Sequence, residues 1–146
     1  MSTTGKDPSA ALIAGIQTVL DDNVTVGTTT YKVYDMFPGG APNRQYVHIR
    51  NYIDTENGTK GEFVYEGTIN VESVDMAGTL NQSFSTVRAM SNKVRELLKT
   101  SMGATFTVTG YTLIVFRHAV STQLTMKGRD GRDEKRIIDI YEFIIE

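Results

Sequence analysis

The hydrophobic pattern of the chain changes period near its middle, and that change marks the main element boundary. Phe63, Tyr65, Ile69 and Val71 alternate with Glu62, Glu66, Thr68, Asn70 and Glu72. A period of two describes a strand with one buried and one wet face. Beyond Asp75-Met76-Ala77-Gly78, Leu80, Phe84, Val87, Val94 and Leu98 recur at steps of three and four, with Ser91 in the one place that lacks an apolar residue. This spacing predicts an amphipathic helix. Thr79 and Gln82 stand at capping-box spacing and set its start, and Gly103 offers a stop. A strand handing its apolar face to a helix is the nucleus of a two-layer domain.

The same patterns divide the rest of the chain. Asp7 before Pro8 is a helix N-cap signal, and Leu12, Ile13, Ile16, Val19 and Leu20 form one stripe, so residues 8–20 read as a first helix that Asp21-Asp22-Asn23 ends. One strand is centred on Thr30–Tyr34, preceded by a short turn at Gly27. The Pro38–Pro42 stretch, with Gly39-Gly40, is a loop. Tyr46–Ile53 is the next strand, with Val47, Ile49 and Asn51 on one face and Tyr46, His48, Arg50 and Tyr52 on the other. Asn57-Gly58 suits the tip of a tight hairpin, which makes this strand an antiparallel neighbour of the one that follows.

After the second helix, Thr105–Met126 reads mostly as strand, broken at Gly110, and Ile137–Ile145 is the last strand. Its near-continuous apolar run implies burial on both faces, or one face in the core and one against a partner. The expected fold is α+β: a mainly antiparallel sheet of about five strands with two helices packed on one face, in the order α-β-β-β-α-β-β. Residues 1–146 form one domain, with residues 1–7 expected to be flexible.

Composition narrows the function classes. The 15 basic and 17 acidic residues leave a formal charge of −2, which argues against nucleic-acid binding by bulk charge. With no cysteine, the chain offers no disulfide, thiol nucleophile or cysteine-ligated metal. The N-terminal residues have no signal-peptide core, and no apolar run approaches the ~18 residues of a membrane span, so a soluble, intracellular product is expected.

No catalytic motif stands out. His48 and His118 are far apart and lack ligand-spaced companions, so neither a metal site nor a cofactor site is expected. There is no Gly-x-Ser-x-Gly elbow and no phosphate-binding glycine loop. Glu62, Glu66 and Glu72 share a strand face, which fits a solvated sheet or an oligomer wall better than paired catalytic carboxylates. Arg88, Lys93, Arg95 and Lys99 give the second helix a basic outer face. The connector Lys127–Arg136 holds five basic residues (Lys127, Arg129, Arg132, Lys135, Arg136) and three acidic ones (Asp130, Asp133, Glu134). A mixed-sign loop is a poor DNA site but a good docking surface, so Lys127, Arg129, Asp130, Arg132 and Asp133 are the candidate assembly residues.

The whole pattern carries a resemblance that no single motif does. A helix with Ala-Leu-Ile-x-x-Ile-x-x-x-Leu is followed by Tyr-Lys-Val-Tyr, a Pro-Gly loop and Tyr-Val-His-Ile-Arg. Then come the strand Phe-Val-Tyr-Glu-Gly-Thr-Ile-Asn-Val-Glu-Ser, the helix Phe-Ser-Thr-Val-Arg-Ala-Met-Ser-Asn-Lys-Val-Arg-Glu-Leu-Leu, and a C-terminal hairpin with a charged turn. Over about residues 8–145 this order resembles the tail terminator, or tail completion, proteins of long-tailed bacteriophages and prophages. The resemblance implies a non-enzymatic virion subunit, made in the host cytoplasm, that forms a hexameric ring. Such a ring caps the tail tube and joins it to head or neck connector proteins, with DNA only passing through the lumen. A head-closure or stopper protein, a small nucleic-acid-binding module and a small enzyme are the competing readings.

Overall fold

A computed structural model of the chain describes residues 7–35, 45–58, 63–76, 84–98, 106–127 and 133–146. Helix α1 spans Ser9–Leu20 and helix α2 spans Ser85–Leu98. The strands are β1 (Thr25–Val26), β2 (Thr29–Thr30), β3 (Lys32–Tyr34), β4 (Gln45–Glu56), β5 (Tyr65–Asp75), β6 (Leu113–Lys127) and β7 (Asp133–Ile145). The last five form one sheet in the order β3-β4-β5-β7-β6. All neighbours are antiparallel except β3, which lies parallel to β4. The expected α+β class, five-strand sheet and two helices are therefore present.

Helix α1 starts one residue later than the sequence places it, with Pro8 rather than Asp7 as the N-cap. The Asp7 carboxylate accepts the Ser9 N–H at 2.9 Å, which satisfies a donor left open at a helix start, and the Pro8 carbonyl accepts the Leu12 N–H at 3.0 Å as the first bond of the helix. Leu12, Ile16 and Leu20 are fully buried. In α2, Val87, Met90, Ser91, Val94 and Leu98 are buried. The expected stripe is thus observed from Val87 onward, with Met90 added; Phe84 precedes the helix and Leu80 lies outside the described residues. Helix α2 packs on β5 and β7, and α1 on α2, β3 and β4. The core between helices and sheet includes Val47, Ile49, Ile69, Val71, Phe116, Tyr141 and Phe143. Within it the Phe116 and Tyr141 rings stack at 5.0 Å.

Several boundaries differ from the sequence reading. The single strand expected around Thr30–Tyr34 is a small β1–β2 hairpin, turning at Gly27 with φ +62°, followed by the separate β3. Strand β6 begins only at Leu113, because Gly110 turns the chain with φ +84°. The β4–β5 hairpin is antiparallel as expected, but Asn57-Gly58 is not its tip. The ladder runs to Glu56 opposite Tyr65, and the Asn57 N–H still bonds the Val64 carbonyl at 2.6 Å. The capping pair Thr79 and Gln82, the Gly103 stop and the Pro38–Pro42 loop lie outside the described residues.

One irregularity re-aims half of a strand. The β4 register slips between Arg50 and Ile53, so Asn51 and Tyr52 together face the single residue Ile69, and Asn51 adopts φ +54°. Such a bulge swaps the faces of everything beyond it. Tyr52, expected beside His48 and Arg50, therefore points to the helices and stacks on Phe143 at 5.2 Å. Gly67 makes this close pairing possible: a Cβ there would lie 1.9 Å from the Ile53 carbonyl oxygen.

Candidate functional site

Cross-strand partners in an antiparallel ladder share a face, so the register sorts the polar side chains into two groups. On the helix side, Asp139 is fully buried. It accepts Ser91 Oγ at 2.5 Å, Arg95 Nη2 at 2.9 Å and, with the ring nitrogen's role set by tautomer, faces His118 Nε2 at 2.8 Å. Ser91 and Arg95 come from α2, His118 from β6 and Asp139 from β7, so one carboxylate ties three elements together. Its burial also presses on Tyr141, whose hydroxyl pKa is raised by desolvation first and by the Asp139 charge second. Arg95 is thus not part of a purely solvated outer face, whereas Lys93 pairs with Glu96 on the same helix at 3.7 Å. Ser91 fills its gap in the apolar stripe because an acceptor sits opposite it.

On the other side, Glu72 is buried and bonded to Arg136, with Arg50 Nε 3.4 Å away. Arg136 also bonds Glu134. Two carboxylates accordingly raise its pKa against a desolvation that lowers it. His48 stands opposite Glu72 in the ladder. Burial lowers the His48 pKa, opposed by the Glu72 charge and assisted by Arg50 and Arg136. Glu72 is therefore not on a solvated face, and Glu66 alone of the expected acidic row is described as exposed. His48 and His118 lie on opposite faces of the sheet. Among the described residues no group of His, Cys, Asp or Glu side chains is placed to hold a metal ion.

Of the candidate assembly residues, Lys127 and Asp133 fall at one end of the β6–β7 hairpin. Lys127 ends β6 and Asp133 starts β7, opposite each other in the ladder. Arg129, Asp130 and Arg132 lie outside the described residues. The connector is shorter than the sequence suggested, because β7 begins at Asp133 rather than Ile137. Lys135 and Arg136 are buried strand residues: Lys135 Nζ sits 5.3 Å from the Phe84 ring centroid, and Arg136 joins Glu72. Charge alone misled here, since each cation has a partner far away in sequence. Asp139 was legible in retrospect, as a lone acid on the buried phase of an apolar strand.

The face away from the helices is open only in part: Tyr46, His48, Glu72, Val74 and Arg136 on it are buried. Val120, Leu124 and Met126 of β6 lie there opposite Ile140, Arg136 and Glu134, and all three are exposed. Ile53 of β4, beyond the bulge, joins that face and is 64% exposed. A concave groove of about 830 Å³ opens along it, lined by Thr55, Glu66, Thr68, Val115, Arg117 and Glu142 among others. Arg117, the one cation of its lining among the described residues, is engaged, because its Nε bonds Glu142 at 2.6 Å. The groove thus combines a paired ion, Glu66 and threonines with the apolar Val115, Phe143 and Ile144.

No described helix is long and apolar enough to cross a membrane. No protein-family model matches the chain, and no curated protein matches it either. Among solved structures, the chain is similar in fold to a chain from the virion of a native gene transfer agent particle. The TM-score is 0.74 and the sequence identity 18%, over 97% of this chain and 99% of that one. At that identity the likeness is one of fold, and it runs from end to end.

Proposed function

We propose that this chain is a structural protein of a phage-like virion, and more narrowly a terminator-type subunit. In that role copies form a homo-oligomeric ring that caps the tail tube and joins it to head or neck proteins, leaving a passage for DNA. The observation that carries the reading is the end-to-end likeness to a virion chain of almost equal extent. The order of elements, which resembles the tail terminators, supports the finer role. So does the distribution of polar groups. Asp139, Glu72 and their cations are used to pin elements together, and the exposed apolar residues Val120, Leu124, Met126 and Ile53 share one face. A ring needs two different surfaces per subunit, and a sheet with a partly open face and a charged hairpin end offers them. No catalytic role is part of this proposal.

The charged end of the β6–β7 hairpin is the proposed contact to neighbours or to the tail end. Size-exclusion chromatography with light scattering, followed by negative-stain microscopy, tests the ring directly; a compact monomer that does not join tails refutes it. Replacing Arg129 and Arg132 together with Glu should leave the melting temperature near wild type while lowering ring yield or tail joining. Mixed charges imply a moderate salt dependence, without the steep slope of counterion release from DNA. Unchanged assembly in the double variant removes this turn from the interface.

A further inference from the structure

Among the described residues the five-stranded sheet leaves two edges wholly or partly unpaired. Among the described residues no strand pairs with the outer edge of β6, and β3 covers β4 only at Tyr46, Val47 and His48. The open part of β6 is unusual in chemistry. All eight residues Ala119–Met126 are exposed, and they contain no charge and no proline. Proteins ordinarily guard such an edge with lysine, proline or a covering loop, because its free N–H and C=O groups template pairing with another strand. The open part of β4, residues 50–56, has Ile53 as its most exposed apolar residue and carries Arg50, Asp54 and Glu56.

We infer that these two edges pair between copies: the Ala119–Met126 edge of one subunit receives the residue 50–56 edge of a second copy of this chain. Three observations select this occupant. The two free stretches have similar length, so pairing uses nearly all of both. Val120, Leu124 and Met126 lie on the face opposite the helices, as Ile53 does; a sheet continued across the boundary brings these exposed apolar residues side by side. The charges also fit. Two β4 edges laid together would set Asp54 and Glu56 near their own copies, whereas the β6 segment opposes them with no charge, and Arg117 and His118 precede it. Pairing of β6 with β6 would be a two-fold contact that closes a dimer. The β6-to-β4 contact is head-to-tail and propagates to a ring. The inference rests on the ring reading above and names the surfaces that build it.

The chain has no cysteine, so disulfide trapping is free of background. Val120→Cys, Thr122→Cys and Leu124→Cys proteins, each mixed with Ile53→Cys protein, sample three registers on one face; a bridge forms only where Cα atoms come within about 7 Å. One mixture is expected to cross-link strongly. In parallel, Leu124→Lys and Thr122→Lys change exposed side chains and should convert the wild-type ring to monomer by light scattering, with the melting curve unchanged. If wild type forms rings but neither effect appears, the edge pairing is wrong and the ring reading stands. Cross-linking of a β6 cysteine variant with itself, in place of Ile53→Cys, overturns the head-to-tail arrangement. Cross-linking without rings keeps the edge pairing and refutes the ring. A wild-type monomer without cross-links overturns both.

Discussion

Replacing Asp139 with alanine should be among the most damaging single changes in the fold, and its cost is set by who is left behind. The carboxylate is fully buried and serves Ser91, Arg95 and His118. Arg95 is 40% exposed and His118 20%, so both can turn partly to water, and the screened arginine contact adds little. Ser91 is 2% exposed and has no such escape. Its stranded hydroxyl costs about 1–3 kcal/mol, and the charge-assisted bonds to the other two partners are lost as well. No charge is stranded in the core, so the total stays at about 2–4 kcal/mol, below the cost of breaking a fully buried ion pair. For a chain of this size that corresponds to a fall in melting temperature of roughly 4–16 °C.

The opposing effect is the desolvation of the carboxylate itself, which the alanine variant relieves. A double-mutant cycle separates the two. If the Ser91 bond matters as described, Ser91→Ala combined with Asp139→Ala should be less harmful than the sum of the single changes, with a coupling of ~1–3 kcal/mol. The chain has no tryptophan, so urea transitions are best followed by far-UV circular dichroism. Protomer concentration must be fixed, because ring formation would itself add stability. Additive single changes, or an Asp139→Ala variant within about 0.5 kcal/mol of wild type, the range of ordinary surface changes, would refute this account of how α2 is held to the sheet.

Two further outcomes follow from single residues. Gly67→Ala places a Cβ against the Ile53 carbonyl and should cost about 1–3 kcal/mol in the same urea assay, as overpacking does. His48 has a folded pKa below its unfolded value of about 6.5, chiefly through burial. The unfolded chain therefore binds the proton first, and stability is full above about 6.5 and falls as pH drops towards the folded pKa; His48→Gln should flatten that part of the melting-temperature profile, and an unchanged profile would show that His48 is not its source.

The sequence carried the periodic elements and lost the ones defined by distant partners. Both helix stripes, the β4–β5 hairpin and the last strand follow local spacing, which one residue's neighbours reveal. The bulge at Asn51 does not: a single positive φ reverses the faces of all later β4 residues, and the only local sign is that Asn tolerates this region better than most residues. Strand β3 has three residues, too few for a period to declare its partner or direction. From the sequence alone, Asp133–Arg136 belong to a charged connector. Their placement depends on Glu72, 64 residues before Arg136, and on the Phe84 ring beneath Lys135. The same limit applies to the candidate site: the charged turn was visible as composition, whereas the uncharged β6 edge became visible only once the sheet order left it without a neighbour.

That sheet order separates folding from contact along a single strand. The first part of β6 belongs to the core: Leu113 and Phe116 are buried, and His118 reaches Asp139. The ladder then slips between His118 and Val120, and every residue from Ala119 to Met126 is exposed. Beyond that slip, β6 is held by its ladder to β7, with a 3.4 Å bond between Arg88 and Gln123 on the helix side. Apolar burial, which supplies most of the driving force for folding, is therefore concentrated before the slip. Substitutions beyond it act on surfaces that the isolated subunit does not bury. This is why a lysine at Leu124 is a test of assembly, while alanine at Asp139 is a test of the fold.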